Sequence, residues 1–355
     1  MQAVALYPDG PEVRVIEKER PSPDEGEVLV RTLRVGIDGS DRRIAAGEIG
    51  GDLPEGEDHL VMGHEAVGVV EDANGADLAE GTVVAPLVRR PAEDSRFAAS
   101  GQIDMAPPGS FHECGIMGEH GYLAEYFVSE PEYLVPVPDS RADYGFFAEP
   151  TSILEKSLDQ AFTARSAFDW NHEVAFVLGN GNLGLLALAR LETTDAFDLT
   201  YCLGRRNRPD PTIEFVEGIG ATYVDSRETP VAEFAERYEP ADYVFETTGY
   251  PKHALDAVHA LAPNGVATLQ GIPYTSDVYD VDCGTLHAEL VTNNKALLGN
   301  VNARRKHFES GIEWLERVST SVLNDLVTGI YGLNEIDDAF ADSPETLKSV
   351  VSFER

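Results

Sequence analysis

The stretch Val174-Ala175-Phe176-Val177-Leu178-Gly179-Asn180-Gly181-Asn182-Leu183-Gly184 decides the architecture of this chain. Five apolar residues in a row read as a strand buried on both faces. They run into Gly179-x-Gly181-x-x-Gly184, after which Leu183 to Leu191 reads as a helix. A glycine turn between a strand and a helix is a dinucleotide-binding turn. Gly179 makes the tight turn, Gly181 lets the backbone approach a pyrophosphate, and Gly184 lets the helix pack against the sheet. Asn180, Asn182 and Leu183 complete the loop. A glycine triplet alone would be weak; its flanks give it meaning.

Working outward, Leu199 to Leu203 and Asp242 to Glu246 read as further strands, Pro251 to Leu261 as a helix, and Val266 to Gln270 as a strand. Ala296 to Leu298 begins a last one. This alternation implies a doubly wound parallel sheet in an α/β protein. The second strand ends in Leu203-Gly204-Arg205-Arg206-Asn207-Arg208. An acid here would bind the ribose 2′-hydroxyl of NAD. Gly204 followed by Arg205, Arg206 and Asn207 instead suits a 2′-phosphate, through charge-assisted bonds from guanidinium groups. The reading is NADP first and NAD second. Thr247, Gly249 and Gly271 follow later strands on the same edge and are expected on the nicotinamide side.

The first ~140 residues carry a different pattern, of strands and loops. Glu27 to Val35 alternates with period two, and Val83 to Val88 and Tyr133 to Pro138 are short and punctuated by proline. Within this region Gly63-His64-Glu65 sets an imidazole beside a carboxylate between apolar runs. Asp38 ends an earlier strand, and Glu149 precedes the second pattern. Asp38, His64 and either Glu65 or Glu149 would give three protein ligands with one open position, as catalytic zinc needs. Spacing alone does not select these acids out of 62. The amphipathic Phe308 to Val318 and the stretch Tyr331 to Phe340 are expected to return to the first domain.

The chain has 355 residues, enough for two domains. Its formal charge is -35, from 62 acids against 27 bases, and only six of the bases are lysine. Such a surface repels itself in dilute salt and is screened in molar salt. The excess is spread over the chain, which points to a salt-saturated cytoplasm and argues against nucleic acid as a partner. No stretch reaches the ~20 apolar residues of a membrane span. Three separated cysteines, Cys114, Cys202 and Cys283, offer no disulfide framework.

On these residues the chain resembles the zinc-dependent medium-chain dehydrogenases, and within them the glucose dehydrogenases of halophilic archaea. The carrying segments are Val35 to Asp41, Gly63-His64-Glu65, Gly121-Tyr122 with Glu125, Glu149-Pro150 with Glu155-Lys156, Gly179 to Gly184, Leu203 to Asn207, and Asn294-Lys295 with Val301-Asn302. The resemblance implies a GroES-like, mainly β catalytic domain over 1–160 and 303–355, and a Rossmann domain over 161–302. It implies oxidation of D-glucose, or a related aldose, at C1 to glucono-1,5-lactone, with one zinc and NADP. Asp38, His64 and Glu149 would ligate zinc, with Glu65 exchanging with water or standing behind them. Ser40, Glu113, His120, Glu149 and Asn302 would face the sugar, and Asn300 and Asn302 the cofactor. A homodimer or homotetramer is expected. Cys114 stands where close relatives tend to have arginine, and the Pro91 to Gly118 region lacks the clustered cysteines of a structural zinc. Arg42 and Arg43 follow Ser40, where relatives pass a proton onward. The rival readings are a polyol or alcohol dehydrogenase, a metal-free quinone reductase on the same fold, and a non-catalytic NADPH-binding protein.

Overall fold

The computed structural model describes every residue except 9, 11, 93, 94, 195, 274–277, 342, 344, 345 and 355. The chain divides into two compact units, Met1–Ser152 with Asn302–Arg355, and Ile153–Val301. The expected junctions stood at 160 and 302; the first division falls inside the helix Ala148–Arg165.

The Ile153–Val301 unit is built on six parallel strands. Their spatial order is Thr222–Asp225, Leu199–Gly204, Val174–Leu178, Ala241–Glu246, Leu261–Leu269 and Ala296–Gly299. Strand order therefore reverses beside Val174–Leu178, and in such sheets ligands bind at the carboxyl ends where the order reverses. All five residues of that central strand are buried, as its unbroken apolar run requires. Phe176 stacks on Phe234 with ring centroids 3.9 Å apart. Full burial of one such side chain contributes roughly 1.5–3 kcal/mol. The strand expected to start at Val266 starts at Leu261, directly after the helix Pro251–Ala260.

The other unit contains a mostly antiparallel sheet in which Val28–Ile37 pairs with Glu65–Asp72, Tyr126–Ser129 and Lys348–Ser352. The expected period-two alternation of this strand is not realised in its burial. Eight of its ten residues are buried, because both of its faces are covered. The tail completes this unit: Lys348–Ser352 pairs with Val28–Ile37, and Val327–Tyr331 lies parallel beside it. The amphipathic helix forms as Arg305–Arg317 and buries Phe308, Ile312, Trp314 and Leu315. Register then sets the site. Gly36 lies opposite Glu65 and Ile37 opposite Ser349, so Asp38, His64 and Lys348 reach one end of the sheet.

Candidate active site

Asp38 ends the Val28–Ile37 strand and caps the short helix Gly39–Ala45. Its Oδ1 accepts a hydrogen bond from the Asp41 amide at 2.8 Å, while its Oδ2 lies 3.7 Å from His64 Nε2. Asp41 reciprocates. Its Oδ2 accepts from the Asp38 amide at 3.0 Å, and its Oδ1 sits 3.2 Å from His64 Nδ1, close but without hydrogen-bond alignment. One capping box thus fixes Asp38 and places a fully buried carboxylate behind the imidazole. A histidine ligand backed by a carboxylate in this way is oriented and made more basic.

Glu65 follows His64 and is buried with Lys348, the two forming an ion pair. Gly36 makes room for it: a Cβ at Gly36 would strike Glu65 Oε2 and approach Lys348 Cε to 2.8 Å. Asp38, His64 and Glu65 each offer a ligand atom, and these atoms lie within 4.8 Å of one another. Glu149 opens the Ala148–Arg165 helix, buried, outside that tight set but within its field. Ser40 sits half-buried in the first turn of the helix that Asp38 caps.

The electrostatics match this packing. Burial pushes the Asp38 carboxyl up, but His64 and Lys348 outweigh it and hold it well below the usual carboxylate range. Burial lowers His64, and the Asp41 and Asp38 carboxylates overcome that and raise it. Glu65 is raised by burial despite Lys348. Burial, with the Glu65 and Asp38 charges, pushes Glu149 up to about 8. Without a metal, the cluster holds a charged Asp38–His64 pair, Glu65 is paired with Lys348, and Glu149 is pushed toward its neutral form.

The donor set fits a zinc ion. The 3.7 Å between Asp38 Oδ2 and His64 Nε2 is too long for a hydrogen bond. It is near the ~3.4 Å edge of a tetrahedron with bonds of ~2.0–2.1 Å. One imidazole and oxygen donors in a buried cluster suit that ion.

Glu113 lies in the strand Phe111–Cys114. Its Oε1 accepts from Arg89 Nε at 2.8 Å and from Asn302 Nδ2 at 3.4 Å. Arg89 is itself buried, donates to the Asp104 carbonyl, and lies over the Phe111 ring. Glu113 and Asn302 are thus brought together and braced. His120 is placed elsewhere: its hydrogen bonds run to Lys18 and to the Val61 amide, and its ring stacks on His59.

In the Ile153–Val301 unit, Gly179 has φ +112, and Gly184 has no room for a Cβ, which would strike the Gly179 carbonyl oxygen. Beside Gly181, the N-cap of the Asn182–Glu192 helix, there is open space. Asn180 Nδ2 donates to Thr212 Oγ1 at 2.5 Å and packs under Gly204. Arg205 and Arg206 are exposed after the second strand, and the Arg206 amide donates to Tyr223 OH at 2.9 Å. Asn207 Oδ1 accepts from Arg227 Nη1 at 2.6 Å. Thr247 Oγ1 donates to the Leu178 carbonyl, and Gly271 has no room for a Cβ, which would strike the Gly249 backbone. Asn300 is buried and donates to Ser157 Oγ at 2.7 Å. Asn302 belongs to the other unit.

The glucose dehydrogenase C-terminus family matches residues 142–353, and the alcohol dehydrogenase GroES-like domain matches residues 24–139. Glucose 1-dehydrogenase 2 of Haloterrigena turkmenica is 67% identical, with 100% of each chain covered. Glucose 1-dehydrogenase of Haloferax mediterranei is 51% identical over 99% of each. The chain belongs to the glucose dehydrogenase family of zinc-dependent medium-chain dehydrogenases. The solved structure of the Haloferax mediterranei glucose dehydrogenase in complex with NADP, zinc and gluconolactone superposes with a TM-score of 0.97 at 50% identity, covering 100% of both chains. The GroES-like and Rossmann architecture is thereby that of the family.

Four residues of this candidate site were not among those expected from the sequence. Asp41 ends the Val35 to Asp41 segment, and the Asp-x-x-Asp spacing of a capping box was its available signal. Lys348, Arg89 and Arg227 carried none. Each reaches its place through strand pairing or a loop contact distant in sequence.

Proposed function

We propose that the enzyme oxidises D-glucose at C1 to glucono-1,5-lactone and reduces NADP, with NAD as a secondary acceptor. The observation that carries this is the buried convergence of Asp38, His64 and Glu65 in a chain half identical, over its full length, to a dehydrogenase solved with NADP, zinc and gluconolactone. Asp38, His64 and Glu149 would hold one zinc, which when bound supplies Lewis acidity at the C1 hydroxyl oxygen. Asp41 keeps the His64 ring oriented. Lys348 compensates the Glu65 charge, and Glu65, within the same donor cluster, would exchange with water or stand behind the zinc ligands. Glu113 and Asn302 accept and donate to sugar hydroxyls, their geometry set by Arg89. Ser40 offers a hydroxyl for the departing proton. Gly179 to Gly184 receive the pyrophosphate, Arg205, Arg206 and Asn207 the 2′-phosphate, and Thr247, Gly249, Gly271 and Asn300 the nicotinamide end.

Zinc content and turnover on glucose, sorbitol, threonine and ethanol, with both cofactors in molar salt, test this reading. Glucose should be preferred, and chelation should abolish turnover. Turnover that survives complete removal of zinc would sink it. Among the described residues no helix is long and apolar enough to cross a membrane. With the acidic surface, this supports a high-salt cytoplasm. A homodimer or homotetramer is supported by the helix Cys283–Thr292, which buries none of its residues and leaves Val291 64% exposed. Sedimentation in molar salt tests it, and a monomer would refute it.

A further inference from the structure

A second cluster of nitrogen and oxygen donors lies among Lys18, Glu57, His59 and His120, in the Met1–Ser152 segment. Glu57, His59 and His120 offer ligand atoms within 4.8 Å of one another, a spacing that alone would suggest a metal. The hydrogen bonds assign it differently. The Val61 backbone N–H can only donate, and it donates to His120 Nδ1 at 3.1 Å. A neutral imidazole that accepts at one nitrogen carries its proton on the other. His120 Nε2 is therefore an N–H donor, with no lone pair for a metal. It points at Lys18 Nζ, 3.0 Å away. An ammonium cannot accept a hydrogen bond. The contact requires a lone pair on Nζ.

The rest of the cluster agrees. His59 Nδ1 lies 2.7 Å from Asp58 Oδ1 and donates to it, which leaves its Nε2 to accept from Lys18 Nζ at 2.8 Å. Tyr7 and His120 each stack on the His59 ring, with centroids 5.6 and 5.0 Å away. One directed chain results, from Val61 N–H through His120, Lys18 and His59 to Asp58. Other lysines meet carboxylates instead: Lys252 with Asp256, Lys295 with Glu289 and Lys348 with Glu65.

We propose that Lys18 is a second reactive centre, a neutral amine that condenses with small aldehydes, the open-chain form of an aldose included. The Nζ lone pair leaves its contact with His120 and attacks the carbonyl carbon. A C–N bond forms, and the C=O π pair moves to oxygen. One amine proton passes by way of His59 Nε2 to that oxygen, and the second leaves with it as water. Amine and aldehyde become imine and water, with no change of oxidation state. Lys18 and His120 are half-buried, so a small aldehyde can reach them. Burial lowers the Lys18 amine more than the facing Glu57 and Asp58 carboxylates raise it. Burial alone also pushes His120 down, which agrees with the neutral imidazole that its hydrogen bonds require.

An ordinary lysine is neutral in about one molecule in 2,500 at neutral pH. The test is limited labelling of the zinc- and NADP-loaded enzyme with glyceraldehyde and sodium cyanoborohydride in molar salt. Peptide mapping then gives a rate for each of the six lysines. Lys18 should label at least about tenfold faster than Lys252 at neutral pH, and the two should converge as the pH approaches the ordinary lysine pKa of ~10.4. Equal rates, or coincident pH profiles, overturn the proposal. His120→Glu supplies an anion that restores the ammonium, and Lys18 labelling should fall about tenfold toward the Lys252 rate. Unchanged labelling in the folded variant overturns it as well. If that variant does not fold, the native pH profile decides alone.

Discussion

The ion pair between Lys348 and Glu65 is the most demanding contact at the residue scale, because both groups are buried. Removing one partner of such a pair leaves an uncompensated charge and costs about 3–5 kcal/mol. Lys348→Met should lower unfolding stability by about that amount in denaturant titrations at high salt. Adding Glu65→Gln should recover part of it. A loss under ~1 kcal/mol would mean that Glu65 simply takes up a proton. A second residue-scale outcome concerns Glu149, whose carboxyl is raised from 4.5 to about 8. A raised carboxyl favours folding below its unfolded value, and that contribution is lost as pH rises through about 8. Zinc requires the Glu149 carboxylate and a neutral His64 imidazole, so binding near neutral pH expels protons from both. Zinc affinity of the metal-free protein should therefore rise with pH. Calorimetry in buffers of different ionisation enthalpy counts the protons; Glu149→Gln should release fewer than the native protein, and an unchanged count would exclude Glu149 as a ligand.

At the scale of the element, the glycine turn separates fold from binding. Gly184 has no space for a Cβ, whereas beside Gly181 the space is open. Gly184→Ala should therefore weaken the fold as well as NADP binding. Gly181→Ala should leave the melting temperature nearly unchanged while the NADP dissociation constant rises. Equal loss of stability in both would contradict this division. The loop after Leu199–Gly204 carries the second element-scale outcome. Arg205→Ala with Arg206→Ala should raise the NADP Michaelis constant far more than that of NAD, by ~1.5–3 kcal/mol for each charge-assisted contact removed. A parallel rise for both cofactors would assign the arginines to folding. Arg227, tied to Asp225 and Asn207, supports this loop from below.

The whole molecule carries 35 more acids than bases. Pairing every base would still leave that surplus, so its stability depends on ions in solution. The Debye length is ~30 Å at 0.01 M salt and ~3 Å at 1 M. The melting temperature should climb steeply with potassium chloride and level off near molar concentrations. Screening saturates well below that, so continued gain would report bound hydrated cations or strengthened apolar burial. A flat curve would falsify the halophilic reading without touching the dehydrogenase assignment.

The sequence by itself determined whatever local backbone chemistry dictates. The Val174 to Gly184 strand, turn and helix were legible because a buried strand must be apolar and its turn must dispense with Cβ atoms. Arg205 and Arg206 could be singled out as candidates because they directly follow a readable strand. The proposed zinc ligands could be chosen only through resemblance, since no spacing links Asp38 to His64 or Glu149. Only the tertiary structure decided what lies around them. Lys348 meets Glu65 because strands over 280 residues apart in the chain are brought into one sheet, both pairing with Val28–Ile37. Arg89 braces Glu113, and His120 turns to Lys18 rather than to the cluster, for reasons of the same kind. The period-two alternation read over Glu27 to Val35 does not appear in the burial of the strand Val28–Ile37, because the fold covers both of its faces. Backbone geometry is set by neighbours in the chain, whereas the charge that a buried group meets is set by strand register and packing, which no local pattern records.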